Sequence, residues 1–152
     1  PYNRLIKDLK GYSVESFLNK LSEKGKLEVL EKVEPLSKGQ FRVYLDNQWL
    51  RWTPVQKEYW DIQALEEILL KPILDIQDER TDPRIDFVGG PNVDKEIERR
   101  VDNGEFALGI AVSPTNIDAI LKAVDENIHL PLPPKSTWFE PKVLSGLLVH
   151  TF

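Results

Sequence analysis

The chain has 152 residues, of which 41% are hydrophobic and 30% are charged, and its net charge is -5. This composition suits one globular domain and excludes a disordered chain, and the apolar residues are too dispersed for a membrane span. The acidic balance argues against nucleic-acid binding, and the absence of cysteine excludes disulfides, thiolate zinc sites and a cysteine nucleophile. We therefore expect a single α+β domain over residues 1–152, with neither nucleic acid nor a membrane as partner.

The start of the chain carries no targeting pattern. No basic segment followed by an apolar segment opens it, so we expect no signal peptide and a cytoplasmic location. Methionine is absent, and residues 1–4 resemble the interior of a longer protein. The chain is therefore expected to be a C-terminal domain of a larger protein.

The first half of the chain predicts one helix and three strands. Ser13 is a candidate N-cap, and residues 14–24 carry apolar side chains at helical spacing. Alternating residues at 27–33 predict a strand, and residues 41–45 and 49–53 predict a hairpin with a tight turn. Together these strands predict a short β-meander.

The second half predicts six further elements from apolar spacing and from cap and break residues. They are a helix that Asp61 caps and Pro72 kinks or ends, a strand at 85–88, a helix at 93–102, a buried central strand at 106–112, a helix at 116–126 and a strand at 147–152. Alternating strands and helices predict right-handed crossovers and a partly parallel sheet. With the meander, we expect a mixed sheet on which the helices pack.

Residues 75–86 combine five carboxylates with two arginines. Hard cations such as Mg²⁺ and Ca²⁺ take oxygen ligands, but the EF-hand spacing is not met and no metal ligand is assigned. The simpler interpretation is a solvated loop whose arginines pair with its own acids. In an intermediate interpretation, Arg84 and Asp86 pair inward and order the loop.

Three weaker patterns favour structural interpretations. Residues 88–92 could bind an anion at a helix start but match neither known phosphate-loop spacing, so a tight turn with Asn92 as N-cap is the better interpretation. His129 and His150 lack metal-ligand spacing, and the four tryptophans are interpreted as packing residues because no basic stripe accompanies them. No catalytic residue is identified.

A proline-rich segment at residues 132–142 is the most unusual part of the chain. Lys135, Ser136 and Thr137 place one cation and two hydroxyls in a row, which suits a phosphate or a carboxylate, and Trp138 could line the pocket. The alternative is a connection that its aromatic residues anchor over the sheet edge. The residues alone leave these two interpretations open.

Three segments carry a resemblance to a known family. They are residues 1–9 (PYNRLIKDL), residues 81–90 (TDPRIDFVGG), and residues 133–142 (PPKSTWFEPK) with 145–147 (SGL). In this order they resemble the C-terminal portion of a bacterial and archaeal family, domain-of-unknown-function family 1015. The resemblance extends over nearly the whole chain.

The resemblance implies more than the residues alone. Full-length members are longer, and their N-terminal half carries an Asp-Gly-His-His-Arg-type motif similar to one in ParB-like proteins and in free-serine kinases of the ParB/sulfiredoxin fold. By that analogy the whole protein would bind ATP or ADP with Mg²⁺, or transfer a phosphoryl group to a metabolite such as serine. This chain lacks the motif, so its partner would be the N-terminal half of the same protein.

The resembling motifs also indicate the candidate ligand-binding residues. These are Asn3, Arg4, Arg84, Asp86, Lys135, Ser136 and Thr137. We expect them to complete a site for a small anionic ligand, with Arg84 pairing bidentately. The rival hypothesis is a structural or interaction module, in which the Trp-bearing hairpin or the 93–102 helix mediates assembly, including a homo-oligomer.

Overall fold

The computed structural model describes residues 3–55 and 61–114. Within these residues, six strands form one sheet against which helices pack, which confirms the α+β class. The elements are β1 Asn3–Ile6, α1 Val14–Lys24, β2 Gly25–Val29, β3 Phe41–Leu45, β4 Gln48–Pro54, α2 Asp61–Leu65 continued by a π-helical turn Glu66–Leu70, β5 Ile85–Val88, α3 Val93–Asp102 and β6 Leu108–Val112. The elements predicted at 116–126 and 147–152 lie outside the described residues.

The strand order is β2-β4-β3-β6-β1-β5, and all neighbouring strands pair antiparallel. The parallel pairing expected for a mixed sheet is therefore not present among the described strands. The reason lies in the crossovers, which join strands that are not neighbours. β5 and β6 run in the same direction, as a β-α-β unit requires, but β1 lies between them and pairs with both.

The predicted meander is also corrected. β2 pairs with β4 and not with β3, because the other edge of β3 is occupied by β6, where Val43 faces Ile110. The predicted hairpin is confirmed, and Asp46 (φ 51°) and Asn47 (φ 57°) form its two-residue turn. Positive φ at both turn residues matches the right-handed twist of the strands that they join.

The boundaries of α1 agree with the sequence signals. The Ser13 hydroxyl accepts a hydrogen bond from the Ser16 amide at 3.2 Å and caps the helix as predicted. Phe17 and Leu21 are buried on its inner face. The Leu21 carbonyl accepts a bond from the indole of Trp52 at 3.1 Å, which ties the helix to β4.

Different helices cover the two faces of the sheet. α1, α2 and the π-helical turn cover a larger apolar core that contains Phe41, Trp52 and Ile110. α3 covers a smaller cluster on the opposite face, which contains Tyr44 and Ile97. All of β6 is buried between these layers, so the predicted central strand is confirmed.

A row of carboxylates, one per helical turn, attaches α3 to the sheet. They are Asp94, Glu98 and Asp102, which accept hydrogen bonds from Arg42 (2.7 Å), Trp49 (2.7 Å) and Tyr44 (2.9 Å). Burial, and then the bond to Asp102, raise the pKa of Tyr44 to about 12. α3 was a candidate for mediating assembly, but these three carboxylates bond to the sheet of the same chain.

The segment before α3 forms the tight turn that was expected. Gly90 (φ 99°) and Asn92 (φ 61°) both adopt left-handed backbone conformations there. Asn92 takes the N-cap position, although within the described structure its side chain makes no capping bond. Gly104 (φ 73°) follows the other end of the helix, where a left-handed glycine commonly ends a helix. None of the helices in the described ranges is long and apolar enough to cross a membrane.

Candidate functional site

The described candidate residues lie near one edge of the sheet but do not converge on one site, because Arg4 pairs across the strands with Phe87 and Asp86 with Leu5, so Arg4 and Asp86 face opposite sides of the sheet. Asn3 and Arg4 lie on β1, Asp86 lies on the neighbouring β5, and Arg84 immediately precedes β5. Lys135, Ser136 and Thr137 lie outside the described residues. Their anion-binding role stays a prediction. The alternative, that residues 132–142 are a connection anchored over the sheet edge by aromatic residues, also stays open.

Asn3 connects three strands. Its side-chain oxygen accepts a hydrogen bond from the Val112 amide at 2.9 Å, and its amide nitrogen donates to the Val88 carbonyl at 3.4 Å. The residue is only 1% exposed. These contacts tie β1 to β5 and β6 and give Asn3 a structural function.

Arg84 organises the acidic loop at residues 75–86. Its Nε and Nη2 atoms donate to the two carboxylate oxygens of Asp82 at 3.1 and 2.7 Å, and it also donates to the carbonyls of Leu74 and Asp75 at 2.9 Å each. The bidentate pairing that we expected with a ligand is thus made with Asp82. Asp86 accepts instead from the Arg100 guanidinium at 2.8 Å.

The other carboxylates of this loop pair locally. Asp78 accepts two bonds from the Arg80 guanidinium, which hold the pKa of Asp78 below its ordinary value. Asp75 lies 3.3 Å from the Lys10 ammonium. In the part of the chain that the structure describes, no three carboxylate or imidazole groups converge on a common point. These pairs match the simpler interpretation of the loop.

Removing the Asp82 carboxylate is expected to lower the free energy of unfolding of the protein and to make that free energy less sensitive to acid. The Arg84 bond holds the pKa of Asp82 below its ordinary value, so this stabilisation is present at neutral pH and is lost as the pH falls through the folded-state pKa. Asp82→Asn should lower the free energy of unfolding at pH 7 by about 1–3 kcal/mol. The variant should also lose less stability than the wild type below about pH 4.

The measurement for Asp82→Asn is urea unfolding at several pH values. Asp46→Asn, in the hairpin turn where asparagine is well tolerated, is the matched control. An acid profile for Asp82→Asn that parallels the wild type would contradict the role given to this pair.

Arg4 forms a buried ion pair with Glu79. The Nε and Nη2 atoms of Arg4 donate to the two Glu79 oxygens at 3.1 and 2.8 Å, and the side chains are 1% and 4% exposed. The guanidinium also lies 5.6 Å from the ring centre of Phe87. Because burying two charges is costly, this pair is weak evidence for stability and better evidence for a fixed arrangement.

A polar cleft lies beside this ion pair. It has a volume of about 280 Å³ and forms between the helical segment after residue 61 and the start of the acidic loop. Its lining residues are Gln63, Glu66, Glu67, Lys71, Gln77, Asp78, Glu79 and Arg80. Glu79 therefore joins the buried pair to the cleft.

A π-helical turn forms one wall of the cleft. The Lys71 amide donates to the Glu66 carbonyl at 3.0 Å, five residues earlier. Pro72 has no amide hydrogen for the carbonyl four residues before it, and its ring would contact that carbonyl, so the helix widens there and does not simply end. Single π-helical turns are rare and occur often at functional sites.

The cleft carries charges of both signs. The Lys71 ammonium lies 2.6 Å from Glu67 and 3.0 Å from Glu66, and hydrogen bonds to these carboxylates raise the pKa of Lys71. Arg80 pairs with Asp78 across from them. Positive and negative groups therefore lie close together on a partly exposed surface.

No motif or residue spacing indicated this site in advance. Gln63, Glu66, Glu67 and Lys71 occupy the polar face of an amphipathic helix, which is the ordinary pattern for residues in contact with solvent. Only the proline that follows indicated a local irregularity. The cap predicted for Asp61 is also different, since its carboxylate accepts bonds from the Gly39 amide and the Ser113 hydroxyl.

The fold and the cleft define an α+β domain with a small polar site. Residues 1–79 match the family described as "Protein of unknown function (DUF1015)". The match covers more than half of the 152 residues, and the chain belongs to this family. Neither the curated proteins nor the solved structures contain a match. The matched residues include all of the cleft lining except Arg80.

Proposed function

We propose that this chain is an accessory ligand-binding domain of a cytoplasmic small-molecule enzyme, and that the polar cleft is its ligand site. The observation that supports this most is the arrangement of the cleft. A π-helical turn supplies Glu66 and Glu67, the facing loop supplies Asp78 and Arg80, and the buried carboxylate of Glu79 fixes that loop to β1.

The cleft favours a small ligand that carries both an amine and an acidic group. Its volume of about 280 Å³ is just below the usual range for ligand sites, which starts at about 300 Å³, so the ligand must be small. Glu66, Glu67 and Asp78 can accept hydrogen bonds from an ammonium group. Lys71 and Arg80 can donate to a carboxylate or a phosphate. An amino acid or its phosphorylated form has this combination of groups.

The remaining parts of the proposed enzyme lie elsewhere. ATP or ADP with Mg²⁺, and the residues for phosphoryl transfer, would belong to the N-terminal half of the family protein. Because no three ligating groups converge among the described residues, we assign Mg²⁺ no ligand there. Lys135, Ser136 and Thr137 keep their proposed role of holding an anionic group.

The rival interaction module receives no support from the surfaces on which it was based. Trp52 and Trp49 of the hairpin are 0% and 7% exposed, so they pack within this chain. The carboxylates of α3 bond to the sheet beneath the helix. These tryptophans and carboxylates therefore serve the fold itself, and the interaction module stays the alternative proposal.

A ligand screen tests the proposal. We expect serine or phosphoserine to raise the melting temperature of the chain, and at about a hundred times the dissociation constant the gain is about 2.7 kcal/mol, or several degrees. ATP, ADP and inorganic phosphate, with and without Mg²⁺, complete the screen. If none of these compounds changes the melting temperature, the proposed ligand class is wrong.

A pair of matched variants assigns a thermal shift to the cleft. Glu67→Gln removes a cleft carboxylate whose side chain is 41% exposed, and Glu96→Gln removes a carboxylate on α3 that is 42% exposed. We expect Glu67→Gln to weaken binding about tenfold, since a charged hydrogen bond is lost, and Glu96→Gln to bind normally. Equal affinities in the two variants would place the site outside the cleft.

A further inference from the structure

Two arginines lie directly opposite each other on the sheet. Arg42 on β3 and Arg51 on β4 are cross-strand partners, and both point to the face that α3 covers. Their side chains are 11% and 21% exposed. Like charges in this position destabilise a sheet, so the arrangement requires compensating anions.

Each of these arginines donates from Nη2 but not from the adjacent Nε in the described structure. Arg42 donates from Nη2 to Asp94 at 2.7 Å, and Arg51 donates from Nη2 to Glu34. In both guanidinium groups the adjacent Nε is buried and, in the part of the chain that is described, has no hydrogen-bond partner. A buried donor without an acceptor carries its full desolvation cost.

Four other arginines of the chain each bind a carboxylate through two hydrogen bonds. In each of them Nε and Nη2 donate together to the two oxygens of one carboxylate. They are Arg4 with Glu79, Arg80 with Asp78, Arg84 with Asp82 and Arg99 with Glu96. Arg100 divides the same two donors between Glu105 and Asp86. Arg42 and Arg51, which are neighbours, instead have no acceptor for Nε among the described residues.

The anions beside the pair differ in how firmly they are held. Asp94 belongs to the first turn of α3 and is fixed by that helix. Glu34 lies in the irregular segment at residues 30–40, and its side chain is 57% exposed. The other carboxylate near Arg51, Glu28, is 4.0 Å away. Glu34 is therefore the acid that an incoming anion can replace at lowest cost.

We propose that Arg42 and Arg51 form a binding site for an oxyanion, the phosphate or carboxylate group of a small molecule, and that Glu34 occupies this site in the ligand-free protein. A tetrahedral or planar oxyanion can accept from Nε and Nη2 of one arginine and also contact the second. Binding would supply an acceptor for the two Nε–H groups that have none among residues 3–55 and 61–114. The site lies on the face opposite to the π-helical turn, so it is separate from the polar cleft and independent of its proposed ligand.

Arginine Nε–H resonances in ¹H–¹⁵N spectra of the whole chain test this site directly. The Arg42 and Arg51 signals are assigned with Arg42→Lys and Arg51→Lys, which keep the charge and remove Nε–H. Titration with inorganic phosphate, and separately with acetate, distinguishes the two kinds of oxyanion. We expect both signals to shift and saturate with at least one of them, while the Arg99 signal, already bonded to Glu96, stays in place.

Variants distinguish a specific oxyanion site at Arg42 and Arg51 from nonspecific screening of charge by the added salt. Glu34→Gln should tighten binding by about twofold to fivefold, because it removes the competing carboxylate of an exposed pair. Arg51→Lys should weaken binding at least about tenfold, because the planar fork is lost. The proposal is overturned if neither anion saturates the Arg42 and Arg51 signals, if Arg99 shifts equally, or if Glu34→Gln leaves the affinity unchanged.

Discussion

Arg4→Met is expected to lower the free energy of unfolding by about 3–5 kcal/mol, because it leaves the Glu79 carboxylate buried without its guanidinium. The two side chains are 1% and 4% exposed, so water cannot readily replace the lost bonds. Urea unfolding followed by tryptophan fluorescence gives the value.

A double variant separates the cost of an unpaired charge from the net value of the pair. Arg4→Met with Glu79→Leu removes both charges and keeps apolar volume, so it should recover most of the stability that Arg4→Met loses. The same double variant should lose ligand binding in the cleft, since Glu79 fixes the loop there. If the double variant is no more stable than Arg4→Met, the loss of stability comes from losing the ion pair itself and not from leaving Glu79 as an unpaired buried charge.

Gly109→Ala is expected to destabilise the protein by overpacking the contact between β6 and α3. A Cβ atom at this position would lie 2.2 Å from the Cγ2 atom of Ile97, which is far inside van der Waals contact. Ile97 is fully buried on α3, so either its side chain or the helix must shift to admit the methyl group. We expect a loss of about 1–3 kcal/mol, as for other overpacked cores.

A double-mutant cycle tests whether this contact is the cause. Ile97→Ala removes the Cγ2 atom and should by itself cost about 2–5 kcal/mol through the cavity that it leaves. In the double variant the new methyl group partly fills that cavity, so the combined loss should be smaller than the sum of the two single losses. Simple additivity in thermal unfolding would show that α3 does not limit the space at Gly109.

Local signals allowed much of the secondary structure to be predicted. The Ser13 cap, the turn at Asp46 and Asn47, and the apolar run that became β6 each depend on residues close together in the chain. β1 was missed, because only Leu5 and Ile6 of its four residues are apolar and no alternation is visible. Its strand conformation comes from pairing with β5 and β6, which are more than 75 residues away in sequence.

The order of the strands could not be predicted, because it depends on long-range pairing. Nothing in the residues of β2 indicates that it pairs with β4, whereas the hairpin turn does specify the pairing of β3 with β4. The insertion of β1 between β5 and β6 depends on which edge of β6 is free. A crossover pattern in sequence gives strand direction but does not identify the neighbour.

The candidate site was predicted only in part. Arg4 was identified from the family resemblance, and the structure places it beside the cleft through Glu79, but Asn3 and Arg84 hold strands and loop together. Glu66 and Glu67 were missed because their chemistry depends on a π-helical turn and on a loop that folds against it. Paired polar residues become a site only when the backbone brings their charges to one cavity.

The most direct test of the cleft as the ligand site is a backbone ¹H–¹⁵N spectrum of the whole chain titrated with serine and with phosphoserine. We predict saturable shifts that are largest at residues 63–71 and 77–80. Glu67→Gln should move the midpoint of these shifts to a concentration about tenfold higher, and Glu96→Gln should leave the midpoint unchanged. Saturable shifts confined to other parts of the chain, or no shift at any concentration, would contradict the assignment of the cleft as the ligand site.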